Sequence, residues 1–365
     1  MADFIPGLEL SRLFFFEAVR PVLDAEFPRL RYSAALIGTG SEVLGFDTEM
    51  STDHHWGPRV DLFVREEDYE FAGEEVGAVL RHKLPHRFRG YPTSFTEPDP
   101  SDNGVQHLVA LDEGEVTHKV EVKTPRRFFL DYLAFDIGDD IEPADWLTFP
   151  EQKLRTVNAG AVFHDQIGLE EIRRRFSYYP RDVWLYLLAS AWARVGQDEH
   201  LLGRAGMVGD EIGSALIGAR LVRDLMRLCF LMERVYAPYP KWFGTAFARL
   251  ACAGELSPHL RATLAATDWR AREEHLVRAY RVVARMHNAL GVTEPLPAEP
   301  RDFFGRPFRV IALHGFADAL LARVREERVR RVAARRPIGS LDLFSDSTDL
   351  VSHAVWRATL RKLYE

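Results

Sequence analysis

The stretch Gly38-Thr-Gly-Ser-Glu-Val-Leu-Gly-Phe-Asp-Thr-Glu-Met-Ser-Thr-Asp-His-His-Trp56 lies between two apolar runs, Tyr32 to Ile37 before it and Val60-Asp-Leu-Phe-Val64 after it. Both runs have strand length and are bounded by turn residues, so the pattern reads as strand, Gly/Ser turn, strand. Backbone N–H groups at Gly40 and Ser41 can face a phosphate, and the Ser41 hydroxyl adds a donor. Glycine is also the default residue of any tight turn, which is the competing account of Gly40. Asp53 and His55 stand two apart, so in an extended segment both project from one side and can share a metal ion.

Outward from this stretch, residues 8–26 carry Leu10, Leu13, Phe14, Val19 and Val22 at helical spacing, with Pro21 as a kink or break. After Val64, residues 66–84 read as a helix, acidic at its front and basic at Arg81, His82 and Lys83, a polarity that suits the macrodipole. Residues 86–104 are rich in Pro, Gly, Ser and Asp and read as loop. Val105 to Leu111 and Val116 to Lys123 are β-like, and Asp112-Glu-Gly-Glu115 between them predicts a hairpin. On the second run Val120 and Val122 alternate with Glu121, which places the carboxylate on the opposite face.

From about Asp145 the pattern becomes almost wholly helical. Its best-defined element is residues 210–235, where Ile212, Leu216, Ala219, Val222, Leu225, Cys229 and Met232 recur three or four apart. Further helices are expected at 256–266, 269–290 and 307–335. The sequence therefore predicts an α+β domain with a small mixed sheet over residues 1–145 and an all-α domain over residues 146–365.

Composition narrows the function. Of 365 residues 47% are hydrophobic and 28% charged, which is ordinary for a globular protein and enough for two cores. A net charge of -7 argues against a general nucleic-acid binder, which needs a basic surface to release counterions. The two cysteines, Cys229 and Cys252, form no paired spacing, and no leader-like or membrane-spanning run is evident. A reducing, cytoplasmic setting is the expectation.

Gly40-Ser41, eleven residues, then Asp53-His-His55 resembles the signature of the DNA polymerase beta-type nucleotidyltransferase superfamily, Gly-Ser followed at that distance by Asp-x-Asp or Asp-x-Glu. The wider run around it, with Tyr236-Ala-Pro-Tyr-Pro-Lys-Trp-Phe-Gly244, resembles a bacterial family of uncharacterised nucleotidyltransferase-like proteins. The resemblance implies a metal-dependent transfer of a nucleoside monophosphate, AMP from ATP in the first instance, to a hydroxyl of a small molecule or partner macromolecule. It implies Asp53, His55 and Glu121 as metal ligands, Gly40 and Ser41 as the phosphate seat, and a helical domain that closes the cleft and lends Lys241 to the triphosphate.

His55 stands where the signature has a second carboxylate. It replaces an oxygen ligand with a softer nitrogen, which suits manganese or zinc better than magnesium. A catalytically silent nucleotide-binding or interaction module of the same fold is the alternative function. Asp47 and Asp61 are substitute ligands or solvated loop and strand residues. Lys241 either meets phosphate or snorkels at a helix start. Asp210 and Glu211 either serve the helix that follows them or supply a general base, and the seven arginines of residues 323–336 either track phosphate or form a solvated face.

Overall fold

The computed structural model describes residues 4–52, 54–102 and 104–365. The chain divides into two compact units, Met1–Asp140 with Lys153–Ser177, and Ile141–Gln152 with Tyr178–Glu365. The first is mixed α/β with a small sheet, and the second is largely helical.

The first unit opens with helices α1 (Gly7–Phe14) and α2 (Arg20–Glu26), joined without a break by a π-helical turn, Phe15–Val19. Pro21, which cannot donate to the preceding turn, falls directly after the π-helical turn, where the hydrogen-bond register of the continuous helix changes. Strands β1 (Tyr32–Leu36) and β2 (Arg59–Val64) pair antiparallel, with Ala35 opposite Asp61. Every residue of β1 is buried, as expected of a central strand covered on both faces. Helix α3 (Tyr69–Lys83) follows β2 and presents Ala72, Val76 and Leu80, four apart, to the core. That core also takes Leu10 and Phe14 of α1, Leu23 of α2, and Val60, Leu62 and Val64 of β2.

Strand β3 (Lys119–Lys123) lies parallel to β2, not in the hairpin that its sequence suggested. Leu108–Val109 pairs instead with Ser94–Phe95. The cause is α3. Val116 N donates to Arg81 O at 2.9 Å and His118 Nε2 sits 3.2 Å from Gly77 O, so the chain is delivered along the helix to the free edge of β2. Val120 then joins the α3 side of the sheet. Thr124 closes the strand and starts helix α4 (Pro125–Leu133), its hydroxyl accepting from Arg127 N at 3.2 Å.

A fourth strand, β4 (Ala161–Asp165), completes the order β3-β2-β1-β4 by pairing antiparallel with β1. It lies in a segment whose pattern read as helical. Gly160 explains how the chain enters: its φ is +73°, and any Cβ there would collide with the Leu36 carbonyl. Asp165 ends the strand by accepting from the N–H groups of Gly168, Leu169 and Glu170.

In the second unit the long elements are α5 (Arg181–Met207), α6 (Glu211–Met232) and α7 (Trp269–Ala289). Asp210 Oδ1 accepts from Gly213 N at 2.7 Å, and Glu211 accepts from Arg272 at 3.2 Å, so both carboxylates serve local structure. His287 is fully buried between Trp192 Nε1 and the Thr293 hydroxyl. The helix expected over 307–335 is broken up. Phe304 and Gly305, with φ of +47° and +74°, turn a two-stranded hairpin of Arg301–Phe303 and Arg306–Val310, and within 307–335 only Phe316–Leu321 and Glu327–Ala333 are α-helical. Within the arginine run, Arg330 and Arg331 pair with Glu327 and Arg328 with Glu142. Among the described residues no helix is long and apolar enough to cross a membrane.

Candidate functional site

Alternation fixes which side chains share the face of the sheet opposite α3. On β2 these are Arg59, Asp61 and Phe63, and on β3 they are Lys119, Glu121 and Lys123. The parallel register places Arg59 beside Lys119, Asp61 beside Glu121 and Phe63 beside Lys123. Two carboxylates and three cations therefore meet on two short strands.

The Gly/Ser turn closes one end of this face. Arg59 donates through Nε and Nη2 to Glu42 Oε1, at 3.0 and 2.5 Å, and through Nη2 to Thr39 O at 2.7 Å. The Glu42 and Arg59 side chains are only 6% and 13% exposed. Gly40, with φ of +143°, lies against this pair: a Cβ would sit 2.6 Å from Glu42 Oε2 and 2.7 Å from Arg59 Nη2. Glycine at position 40 is thus required by the ion pair as well as by the turn. Ser41 follows at the start of the turn, its carbonyl accepting from Phe46 N at 3.0 Å.

Lys119 Nζ lies 2.7 Å from His55 Nδ1 and 2.8 Å from Gln106 Oε1. Burial pushes this ammonium down to about 8, against the pull of Glu121, with Arg59 and Lys123 adding to the fall. His55 has φ of +50°, and its N–H donates to Gln106 O at 2.9 Å. Burial first, then Lys119 and Arg59, hold its imidazole below the usual range, so near neutral pH it is uncharged and Nδ1 accepts from Lys119.

Lys123 Nζ stands 2.7 Å from Asp61 Oδ1 and 2.7 Å from Glu121 Oε2. Burial opposes its charge, but the two carboxylates outweigh burial and hold the ammonium above its ordinary value. Partial burial likewise opposes the Glu121 carboxylate, which Lys123, Lys119 and Arg59 together keep below the usual range. The side chain of Asp61 is 8% exposed and that of Glu121 is 48% exposed, so Glu121 is the member open to a ligand. Of this cluster Lys123 alone also lines a cleft of about 400 Å³, with Tyr69, Arg127, Phe128, Leu130 and Asp131.

The metal-ligand set that the resemblance implies is distributed as follows. Asp53 lies outside the described residues. His55 and Glu121 fall within one electrostatic neighbourhood, yet each already faces a lysine of β3. Among the described residues no group of three or more His, Cys, Asp or Glu could hold a metal ion. As they stand, His55 and Glu121, each facing a lysine ammonium, do not fit a divalent cation. Asp47 is engaged elsewhere, accepting from Gly7 N at 2.6 Å and Trp56 Nε1 at 3.0 Å, where it meets the positive end of α1. Lys241 belongs to the second unit, in the first turn of the helix Pro240–Phe247, with its ammonium 5.0 Å from the Trp242 ring centre.

Sequence reasoning passed over Arg59, Glu42, Lys119 and Lys123 and left Asp61 between a substitute ligand and a solvated strand residue. The signal was present in two short words, Arg-Val-Asp-Leu-Phe and Lys-Val-Glu-Val-Lys, whose charged positions all fall on one face once the strands are known to be parallel.

Residues 146–243 match the family model described as "Domain of unknown function (DUF4037)". No curated protein matches the chain. Among solved structures, the chain is similar to the crystal structure of a nucleotidyltransferase-like protein from Exiguobacterium sibiricum 255-15, at 10% identity and a TM-score of 0.32, over 78% of this chain and 77% of that one.

Proposed function

We propose that the first unit seats a nucleoside triphosphate on the charged face of β2 and β3 and transfers its nucleoside monophosphate to a hydroxyl acceptor. The observation that carries this reading is the register that sets Asp61 beside Glu121, flanked by Arg59, Lys119 and Lys123, next to the Gly40-Ser41 turn. Phosphoryl chemistry of this kind is mostly positioning and neutralisation of charge. In the proposal, Arg59 and Lys119 neutralise phosphate oxygens, the backbone of Gly40 and Ser41 adds donors, and Glu121, the exposed carboxylate, accepts the proton of the attacking hydroxyl. Asp53 is assigned to the same site on its sequence position alone. ATP is the first donor to test, with magnesium, manganese and zinc each supplied, and Lys241 is the triphosphate contact that the resemblance implies.

One observation favours a second reading, a nucleotide-binding module without transfer: the ammonium of Lys123 already lies between the two carboxylates. Pyrophosphate release and transfer of α-labelled nucleotide, measured alongside equilibrium ATP binding, separate the two. Binding with release supports the transferase, binding without release supports the silent module, and no ATP binding with or without the three metals rejects both.

Lys119 gives the binding reading a pH signature. Its ammonium, pushed down to about 8, is charged at pH 7 and loses its proton as pH rises above that value, so the phosphate loses a cationic partner. Calorimetric ATP affinity is expected to fall between pH 7 and pH 9 by up to about tenfold, about 1.4 kcal/mol, the most that one proton lost from the free protein near pH 8 can contribute. Bound phosphate favours the ammonium, which moves the inflection upward in the complex. Lys119→Met should bind more weakly at pH 7 and show no inflection; an unchanged profile would remove Lys119 from the seat.

A further inference from the structure

We propose that Lys123 is a tethered cation that occupies the seat between Asp61 and Glu121, so that this face carries a latent divalent-ion site closed by the protein's own side chain. The inference rests on the preceding assignment of this face as the functional site.

Three observations lead there. First, Asp61 and Glu121 are register partners on adjacent parallel strands, so their carboxylates emerge side by side on one face about 4.8 Å apart at the backbone. That juxtaposition suits a hard cation held by oxygen ligands. Secondly, Lys123 reaches both carboxylates at 2.7 Å from two residues further along the strand that carries Glu121, the same-face spacing of a strand. Its ammonium also lies 6.0 Å from the Phe128 ring centre, a further attraction for the cation at this position. Thirdly, the local charge is already balanced. Arg59, Lys119 and Lys123 face Glu42, Asp61 and Glu121, so a divalent ion entering with Lys123 in place would add two uncompensated charges to a half-buried surface.

Lys119 repeats the device one step along the strand by placing its ammonium on His55 Nδ1. Lys123 is the decisive member because it bridges two carboxylates. Withdrawing its charge leaves Asp61 and Glu121 adjacent with no cation between them, an arrangement that is unfavourable until an ion fills it.

The test is Mn²⁺ binding to the full chain without nucleotide, followed by the loss of the free-ion electron paramagnetic resonance signal. The parent is expected to take up no Mn²⁺ at this pair. Lys123→Met is expected to gain a site at least about tenfold tighter than any parent binding, a difference of about 1.4 kcal/mol. The double variant Lys123→Met with Asp61→Asn should lose that gain. A parent Mn²⁺ site that Asp61→Asn or Glu121→Gln weakens would overturn the proposal, as would Lys123→Met acquiring no site. Thermal unfolding establishes that each variant is folded, and Lys123→Gln replaces the methionine variant where it is not. No nucleotide is present, so failure of the transferase reading leaves this result legible. Conversely, Mn²⁺ found on the parent pair would overturn the tethered cation and leave transfer standing.

Discussion

Asp61→Asn is expected to cut nucleoside monophosphate transfer at saturating ATP by about 10²–10³-fold, the cost typical of removing one preorganised charge-stabilising group. The substitution keeps shape and removes one of the two anions that hold the Lys123 ammonium in place. Lys123 would then swing toward Glu121 alone, drawing down the carboxylate that accepts the acceptor's proton in the proposed reaction. Stability should suffer far less, because the side chain of Lys123 is 29% exposed and can recover water once Asp61 is neutral. A large fall in kcat with little change in ATP affinity, in a variant whose melting temperature stays near the parent's, is therefore the expected pattern. Glu121→Gln should show the same split. Turnover unchanged in both variants would detach the β2–β3 face from the reaction.

How much of this was readable in the chain depends on whether local pattern or distant partners decided the outcome. Tyr32 to Leu36 and Arg59 to Val64 were legible because each is a short apolar run cut off by turn residues, and α3 because its charges follow the helix dipole. Helices Glu211–Met232 and Trp269–Ala289 are long enough for period alone to declare them helical, whereas the longest, Arg181–Met207, was not delimited because its first half is buried all round and shows no one-sided stripe. The position of β3 was not legible. Asp112-Glu-Gly-Glu115 offers hairpin chemistry, and only the bonds from Val116 and His118 to α3 carry the strand past it to β2. The strand Ala161–Asp165 was hidden for a related reason: its five residues gain meaning from β1, more than a hundred positions earlier. At the site, Glu121 could be placed on its face from alternation. Asp61 could not be matched to it, because a shift of one residue in register would have sent the two carboxylates to opposite faces.

Glu42→Ala is expected to destabilise the first unit by about 3–5 kcal/mol, the cost of breaking a buried ion pair from one side. The deleted carboxylate accepts both Nε and Nη2 of Arg59, and the guanidinium that remains is 13% exposed with the Thr39 carbonyl still bound to it. Asp61 and Glu121 supply some compensating attraction to Arg59, which places the expected value toward the lower end of that range. The Glu42 stem also lies where α1 begins, since a Cβ on Gly7 would be 3.0 Å from Glu42 Cγ, an atom that alanine removes. Urea unfolding followed by far-ultraviolet circular dichroism measures the loss as a fall in midpoint at constant slope. Glu42→Leu combined with Arg59→Met should recover most of it, because an apolar pair of similar volume leaves no charge unpaired. That double variant would be stable and yet lack the cation beside Gly40, so it should still fail to hold ATP. A cost below about 1 kcal/mol for Glu42→Ala would instead place Arg59 in water, behaving as an exposed ion pair does.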